Sequence, residues 1–499
     1  MKKIMKVIND NCDYVALFLL DVVGMILELV AARLMSPIFG NSNYVWTAII
    51  GIILLAGSLG NIIGGKIASI KHPRYVLGLM LLFAAFYVAI IPVVDKDWLQ
   101  SIKDMNFPTQ FSATLGSIMF FLIPSIILSV FPPILMKEKI GAAKDKGKES
   151  GKITAVIAIG SLVGTFIGGF WLIPALGTRM IFALIALTIL LISFVVKPLT
   201  KVEDSKRTPY IIVSIITVVV VLSSMITVWK SNKNEDIISI DTEYGRIIIE
   251  SEDDGVLYYK QSGAYSSATY TDENLKYELV FKYLKKYDDM FKYRDVKNAL
   301  MIGGAAYQYP KYYISHYTDK KMDVVEIDPM STEIAKKYFY LDDLLADYGD
   351  DRLGLYNDDG RLFMSNCDNK YDAILNDAFS GSVPVSTMTT IEAAKIVHKC
   401  LKNDGVYMSN VLGVVSGQKG RFLRSEAKTL MKVFEHVYVL PIRKVSKDDE
   451  YANWMLIATD SEKYSPDDAV KLEFSDDDIV LTDDYNPIDS MTSTDYFDR

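Results

Sequence analysis

A chain of 499 residues is too long for one small fold, and a 50% hydrophobic share beside 61 acidic residues requires the two kinds to be segregated. They are segregated: apolar runs fill the first 229 residues and Asp, Glu and Tyr collect after about 232, which excludes a purely soluble enzyme. A net charge of −8 excludes a polyanion-binding surface, so no nucleic-acid partner is expected. Cys12, Cys367 and Cys400 are too few and too scattered for a disulfide framework or a thiolate zinc site. His72, His316, His398 and His436 show no ligand spacing, so no metal is expected.

A helix needs about 20 apolar residues to cross the hydrocarbon of a bilayer. Seven runs meet that length, near 14–36, 44–69, 74–94, 111–136, 153–175, 178–197 and 209–229. They predict an all-α transmembrane bundle over residues 1–230, with the lipid bilayer as its partner. No small-residue cleavage site follows the first run, which is expected to remain in the mature protein. Lys2, Lys3 and Lys6, Lys71 and Arg74, the 137–152 segment and the 197–207 segment hold the flanking cations. The positive-inside rule puts these on the cytoplasmic side, and an odd number of crossings then delivers the C-terminal half to the outer face of the cell membrane. The weakly charged 95–110 segment agrees with an outer loop.

Gly60-xxx-Gly64 and Gly160-xxx-Gly164-xxx-Gly168 predict close helix–helix approach. In the first run Asp21 and Glu28 share a helix face, with Arg33 beyond. They read either as a polar conduit or as a Glu28–Arg33 pair that fixes packing.

Strand-like alternation over 237–270 predicts a small β-region, assigned to 237–290. Residues 291–499 then show apolar runs of strand length at 299–302, 322–326, 353–356, 371–375, 406–409, 437–440 and 454–457. Helical stretches near 330–341, 387–402 and 419–436 separate them, the signature of a parallel α/β sheet with crossovers. Such sheets bind ligands at the carboxyl ends of their strands. Gly303 and Gly304 end the first strand, Glu326 the second, Asp359-Gly360 follow the third, and Asp377 closes the fourth. Glu326 lies where an acidic residue bridges ribose hydroxyls, while the third glycine of a pyrophosphate loop is missing, so a nucleoside without pyrophosphate is expected. Tyr307, Tyr309, Tyr312 and Tyr313 either wall a pocket for a cation or a ring, or belong to a helix packed on the sheet.

Leu300-Met-Ile-Gly-Gly304, Val324-Val-Glu-Ile-Asp328, Asn357-Asp-Asp-Gly-Arg361 and Tyr371-Asp-Ala-Ile-Leu-Asn-Asp-Ala378 together resemble the spermidine synthase family of aminopropyltransferases. Glu28-Leu-Val-Ala-Ala-Arg33, Pro37-Ile-Phe-Gly40, Tyr44-Val-Trp46, Asp377-Ala-Phe-Ser-Gly381, Thr389-Thr390 and Thr482-Asp-Asp-Tyr-Asn-Pro487 resemble multi-spanning proteins with such a domain fused behind a membrane bundle. The resemblance implies a methyltransferase-like Rossmann domain preceded by the small β-region. It also implies transfer from decarboxylated S-adenosylmethionine to an amine, both small-molecule partners. Glu326 would hold the ribose, Asp359 and Gly360 the adenine, and Asp377 would be the catalytic acid residue. Tyr277 and Glu278 fall where the family has a His-Glu pair facing the substrates. The family often dimerises through its sheet domain, which makes a homodimer the assembly to look for.

Three departures stand out. Ala306 replaces an Asp that grips the donor's amino group, Ser380 an acidic residue that helps bind the diamine, and Gly245 a Gln of the early β-region. Loss of the carboxylate at 306 removes repulsion against the carboxylate of S-adenosylmethionine, so either that donor or its decarboxylated form is open, and methyl transfer with it. The readings are an alkyl transferase, a transporter-like membrane protein with a nucleoside-sensing domain, and a catalytically inactive ligand-binding domain.

Overall fold

Among the described residues of a computed structural model, seven helices in the first half of the chain are long and apolar enough to cross a membrane. The structure describes residues 2–492 except 41, 106, 197, 200, 201, 232–236, 253, 350, 381, 382, 444–450 and 464. The predicted cations Lys197 and Lys201, the side chains of Lys2, Lys3 and Lys6, and that of Ser380 lie outside the described residues. The chain divides into two units, residues 1–235 with 239–246, and residues 236–238 with 247–499.

The helices of the first unit are α1 (Asn11–Phe39), α2 (Asn43–Ile67), α3 (Pro73–Asp104), α4 (Thr109–Ala142), α5 (Lys146–Leu172), α6 (Thr178–Val195) and α7 (Asp204–Lys230). The glycine motifs do what missing side chains allow. A Cβ on Gly60 or Gly64 would come within 2.3–2.4 Å of carbonyl oxygens of α4, and one on Gly164 within 2.5 Å of Val22 O in α1. α4 and α5 each contain a π turn, Ile118–Leu122 and Gly168–Leu172, running into Ile123-Pro124 and Ile173-Pro174. At Pro124 the missing N–H and the clash of the ring with the carbonyl four residues back are both accommodated by the wider turn.

One polar expectation changes. α3 continues ten residues past the predicted end, because Asp95 is buried against Arg179 at 3.0 Å and Leu99 and Ile102 extend its buried stripe. Arg33 donates to the carbonyl oxygen of Glu243. At the opposite end Arg74 joins Asp13 at 2.8 Å and Glu138 at 2.6 Å, while Lys139 reaches Asp13 at 2.9 Å.

In the β-region the strand order is β1 (Ile237–Asp241), β2 (Arg246–Glu252), β3 (Val256–Gln261) and β4 (Ala264–Tyr270). The main sheet contains β5 (Asn298–Ile302), β6 (Lys321–Val325), β7 (Leu353–Tyr356) and β8 (Tyr371–Asn376). A two-residue pair, β9 (Phe379–Ser380) and β10 (Val383–Pro384), precedes β11 (Leu401–Gly413), β12 (His436–Pro441) and β13 (Ala452–Thr459). The order is β12-β13-β11-β8-β5-β6-β7. β5 to β8 and β11 run parallel, but β13 is antiparallel to both β11 and β12, so the sheet is mixed rather than all parallel. Its helices are α8 (Gln308–His316), α9 (Pro329–Tyr338), α10 (Leu341–Tyr348), α11 (Gly360–Ser365), α12 (Ile391–Cys400) and α13 (Arg421–Leu430).

Buried apolar clusters cover both faces. Tyr307, at the start of α8, and Tyr309, Tyr312 and Tyr313 within it are at most 5% exposed and belong to one of these clusters, so they are core and not a pocket wall. From the same helix Lys311, 1% exposed, donates to Thr269 Oγ1, Lys276 O and Phe339 O, tying β4 to the crossover helices. Burial pushes this ammonium down to about 7, with Asp343 opposing the shift. The C-terminal segment lies across α13 and α12: Arg424 and Asp478 form a buried bidentate pair at 2.8 and 3.0 Å, and Ile391 N donates to Leu481 O.

Cys367 and Cys400 are bonded to each other, a single bond rather than a framework, and one that their number and spacing do not announce. Separated by 33 positions in sequence, they meet because α11 and α12 lie side by side and both end there. Reduction should lower stability by about 3 to 4 kcal/mol, the entropy of reopening a loop of this length. Chemical unfolding of the detergent-solubilised chain with and without reductant tests this, and equal midpoints would refute it.

Candidate active site at the carboxyl edge of the sheet

β5 ends in a glycine pair whose positions admit no side chain. Gly303 has φ +88°, and a Cβ there would lie 2.8 Å from Asp377 O, so the ends of β5 and β8 touch through backbone. Asp377 N donates to Ile302 O at 2.9 Å across the same contact. Gly360 approaches from the other side, where a Cβ would meet Ile302 Cγ2 at 2.5 Å. The sheet therefore brings Gly303, Gly304, Glu326, Asp359, Gly360 and Asp377 to one edge, as the strand positions predict.

Glu326 is 5% exposed. Its Oε2 accepts the N–H groups of Gly304 and Ala305 at 2.8 and 2.9 Å, and Oε1 accepts that of Asp328 at 3.0 Å. Burial raises its pKa while these three donors oppose the rise. One carboxylate thus shapes the glycine loop and keeps a lone pair on Oε1 for a ligand hydroxyl. Asp359 caps α11, its Oδ1 accepting from Arg361 N and Leu362 N, both at 2.9 Å, which leaves Oδ2 outside the cap.

Asp377 is enclosed by neutral donors. Asn410 Nδ2 reaches Oδ1 at 2.8 Å, Tyr283 Oη reaches Oδ2 at 3.3 Å, and Asn453 Nδ2 orients Asn410 at 3.1 Å. Burial pushes the carboxyl up to about 6, with the bonds from Asn410 and Tyr283 resisting. On the strand's opposite face Asn376 donates to Ser409 Oγ, which donates to the buried Glu426. Burial pushes Glu426 up to about 8.

Tyr277 and Glu278 have partners elsewhere: Tyr277 Oη donates to Asp347 at 2.7 Å, and Glu278 lies 3.3 Å from His316. Ala306 is fully buried, and Gly245 lies in the β1–β2 turn, within the first unit. Among the described residues no three His, Cys, Asp or Glu gather into a metal-holding cluster. Sequence reading missed Tyr283, Asn410 and Asn453. Only the pairing of Ser409 with Asn376, which sets Asn410 beside Asp377, would have found one of them.

The strand order 3-2-1-4-5-7-6, with the penultimate strand antiparallel, defines a methyltransferase-type domain, and three carboxylates gather beside its glycine loop. More particularly, residues 274–461 match the family model of the spermine/spermidine synthase domain. A polyamine aminopropyltransferase of Hydrogenobaculum sp. (strain Y04AAS1) is 26% identical over 239 residues, 47% of this chain and 76% of that protein. One from Streptococcus uberis is 34% identical over 87 residues, 17% of this chain and 30% of its own length. Among solved structures, spermidine synthase from Thermotoga maritima matches at TM-score 0.36 and 19% identity, covering 48% of this chain and 81% of that one. Human methyltransferase-like protein 13 matches at TM-score 0.30 and 20% identity, covering 38% and 85%.

Proposed function

We propose that this protein is a membrane-bound transferase that moves an aminopropyl-type group from an adenosyl sulfonium to an amine. The observation that carries the reading is Asp377, partly buried at the same edge as Glu326 and Asp359, with a carboxyl pushed up to about 6. In this reading Glu326 holds a ribose hydroxyl and Asp359 with Gly360 the adenine. Asp377 takes a proton from the acceptor ammonium. The amine nitrogen then attacks the carbon bound to sulfur, the carbon–sulfur bond breaks with its electron pair going to sulfur, and a thioether and a secondary ammonium result. A base with a pKa about one unit below neutrality is mostly ionised at pH 7 and still strong enough to accept that proton.

The donor is S-adenosylmethionine or its decarboxylated form, and the uncharged Ala306 favours tolerance of the carboxylate. Calorimetry with both donors on the purified chain tests this. Tighter binding of the decarboxylated form would overturn the tolerance, and binding of neither would overturn the transferase.

The soluble domain is proposed to face the outside of the cell membrane. Lys and Arg placement and seven crossings support this, and so does the Cys367–Cys400 bond, since such bonds persist in oxidising compartments and rarely in cytoplasm. Protease protection of tags placed after Lys230 and within 137–152 decides it; shielding of the first and cleavage of the second from the cytoplasmic side would both be required. Cleavage of both from one side refutes it.

A further inference from the structure

The segment Thr482-Asp-Asp-Tyr-Asn-Pro487 has no part in the reaction as drawn, yet three elements converge on its first aspartate. Asp483 accepts Arg361 Nη1 and Nη2 at 2.7 and 2.6 Å and the Thr390 hydroxyl at 2.7 Å, while its own N–H donates to Glu392 at 3.0 Å. Arg361 directly follows Asp359-Gly360, and its Nη1 also donates to Thr387 O at 3.0 Å. Thr390 caps α12 and closes the loop that leaves Asp377, and Asn486 secures the same loop at Ser386 O and Thr389 Oγ1.

An ion pair as exposed as this one contributes little to stability, but a bidentate guanidinium–carboxylate pair fixes orientation. Orientation matters here because Gly360 is pressed against Ile302, the residue before the glycine loop, so displacement of α11 moves Asp359 against Gly303 and Gly304. The far end of α11 is anchored separately by the Cys367–Cys400 bond, which leaves Asp483 to set the near end.

We propose that Asp483 is a positioning residue for the donor, fixing the adenine-facing Asp359-Gly360 through Arg361 and the loop after Asp377 through Thr390. The proposal rests on the reading of Asp359-Gly360 as an adenosine site.

The test is calorimetric titration of the full chain in detergent with methylthioadenosine, comparing wild type with Asp483→Asn, Asp483→Glu and Arg361→Gln. Asp483→Asn and Arg361→Gln should each weaken binding about 10- to 100-fold, the cost of misplacing a contact by about 1 Å. Because they remove the same contact, the double variant should bind no worse than either single one. Asp483→Glu should recover affinity to within about threefold of wild type, which a general loss of packing would not do. Should Asp483→Asn fail to fold, Arg361→Gln gives the same reading. If wild type binds methylthioadenosine and both single variants bind it within about twofold of wild type, this inference alone falls. If wild type does not bind it, the donor site falls and the inference with it.

Discussion

Asp377→Asn should depress turnover by about 10² to 10⁴ while leaving donor affinity nearly unchanged. The substitution keeps shape and removes the proton acceptor. The amide oxygen can still accept from Asn410, and the amide nitrogen then faces Tyr283, whose hydroxyl can turn to accept it, so the site need not collapse. The pH dependence carries the same assignment. With the carboxyl at about 6, the required carboxylate is present in about a tenth of molecules at pH 5 and about nine-tenths at pH 7. The wild-type rate should therefore climb with pH through about 6 and level off above about 7, and the Asn variant should lose that limb. If turnover falls only in proportion to a loss of donor binding, Asp377 is a binding residue and the chemistry has been misassigned.

How much of this could be read from residues alone depends on whether a pattern is local. Membrane helices are legible because about 20 apolar residues in a row mean the same thing in any context. The end of α3 was not, since Asp95 reads as a loop charge until Arg179, 84 positions away, is known to face it. The carboxylates at the sheet edge were legible because strand ends fix their direction: Glu326 directly follows the strand ending Val324-Val325, and Asp377 the strand containing Ala373-Ile-Leu375. The surroundings of Asp377 were not, because Tyr283 lies outside the sheet and Asn410 reaches it only through strand pairing. The disulfide belongs to the same class, as two cysteines carry no signal until α11 and α12 lie together. The tyrosines after Gly304 show the converse, where a functional composition proved to be core packing. Tyr277 and Glu278 are present in the expected order, yet their partners are Asp347 and His316.

Glu326→Asp should weaken donor binding by about 10- to 150-fold. Shortening the side chain by one methylene retracts the carboxylate by about 1.5 Å, so it cannot reach a ribose hydroxyl from the same backbone position. One charge-assisted hydrogen bond of about 1.5–3 kcal/mol is lost, and about 1.4 kcal/mol is a factor of ten. The same retraction releases Gly304 N, Ala305 N and Asp328 N, so part of the loss acts through a loosened glycine loop. Glu326→Gln separates the two causes. It keeps the reach and one acceptor oxygen, but its amide nitrogen must face at least one of those donors, and its neutral oxygen bonds a hydroxyl less strongly. If the loop dominates, Gln and Asp variants should lose thermal stability and affinity together. If direct ribose contact dominates, Glu326→Gln should bind methylthioadenosine about tenfold more weakly while unfolding close to wild type, and Asp more weakly still. Wild-type affinity in both variants would remove Glu326 from the donor site and leave it the role its three backbone bonds already define, a brace for the turn after β5.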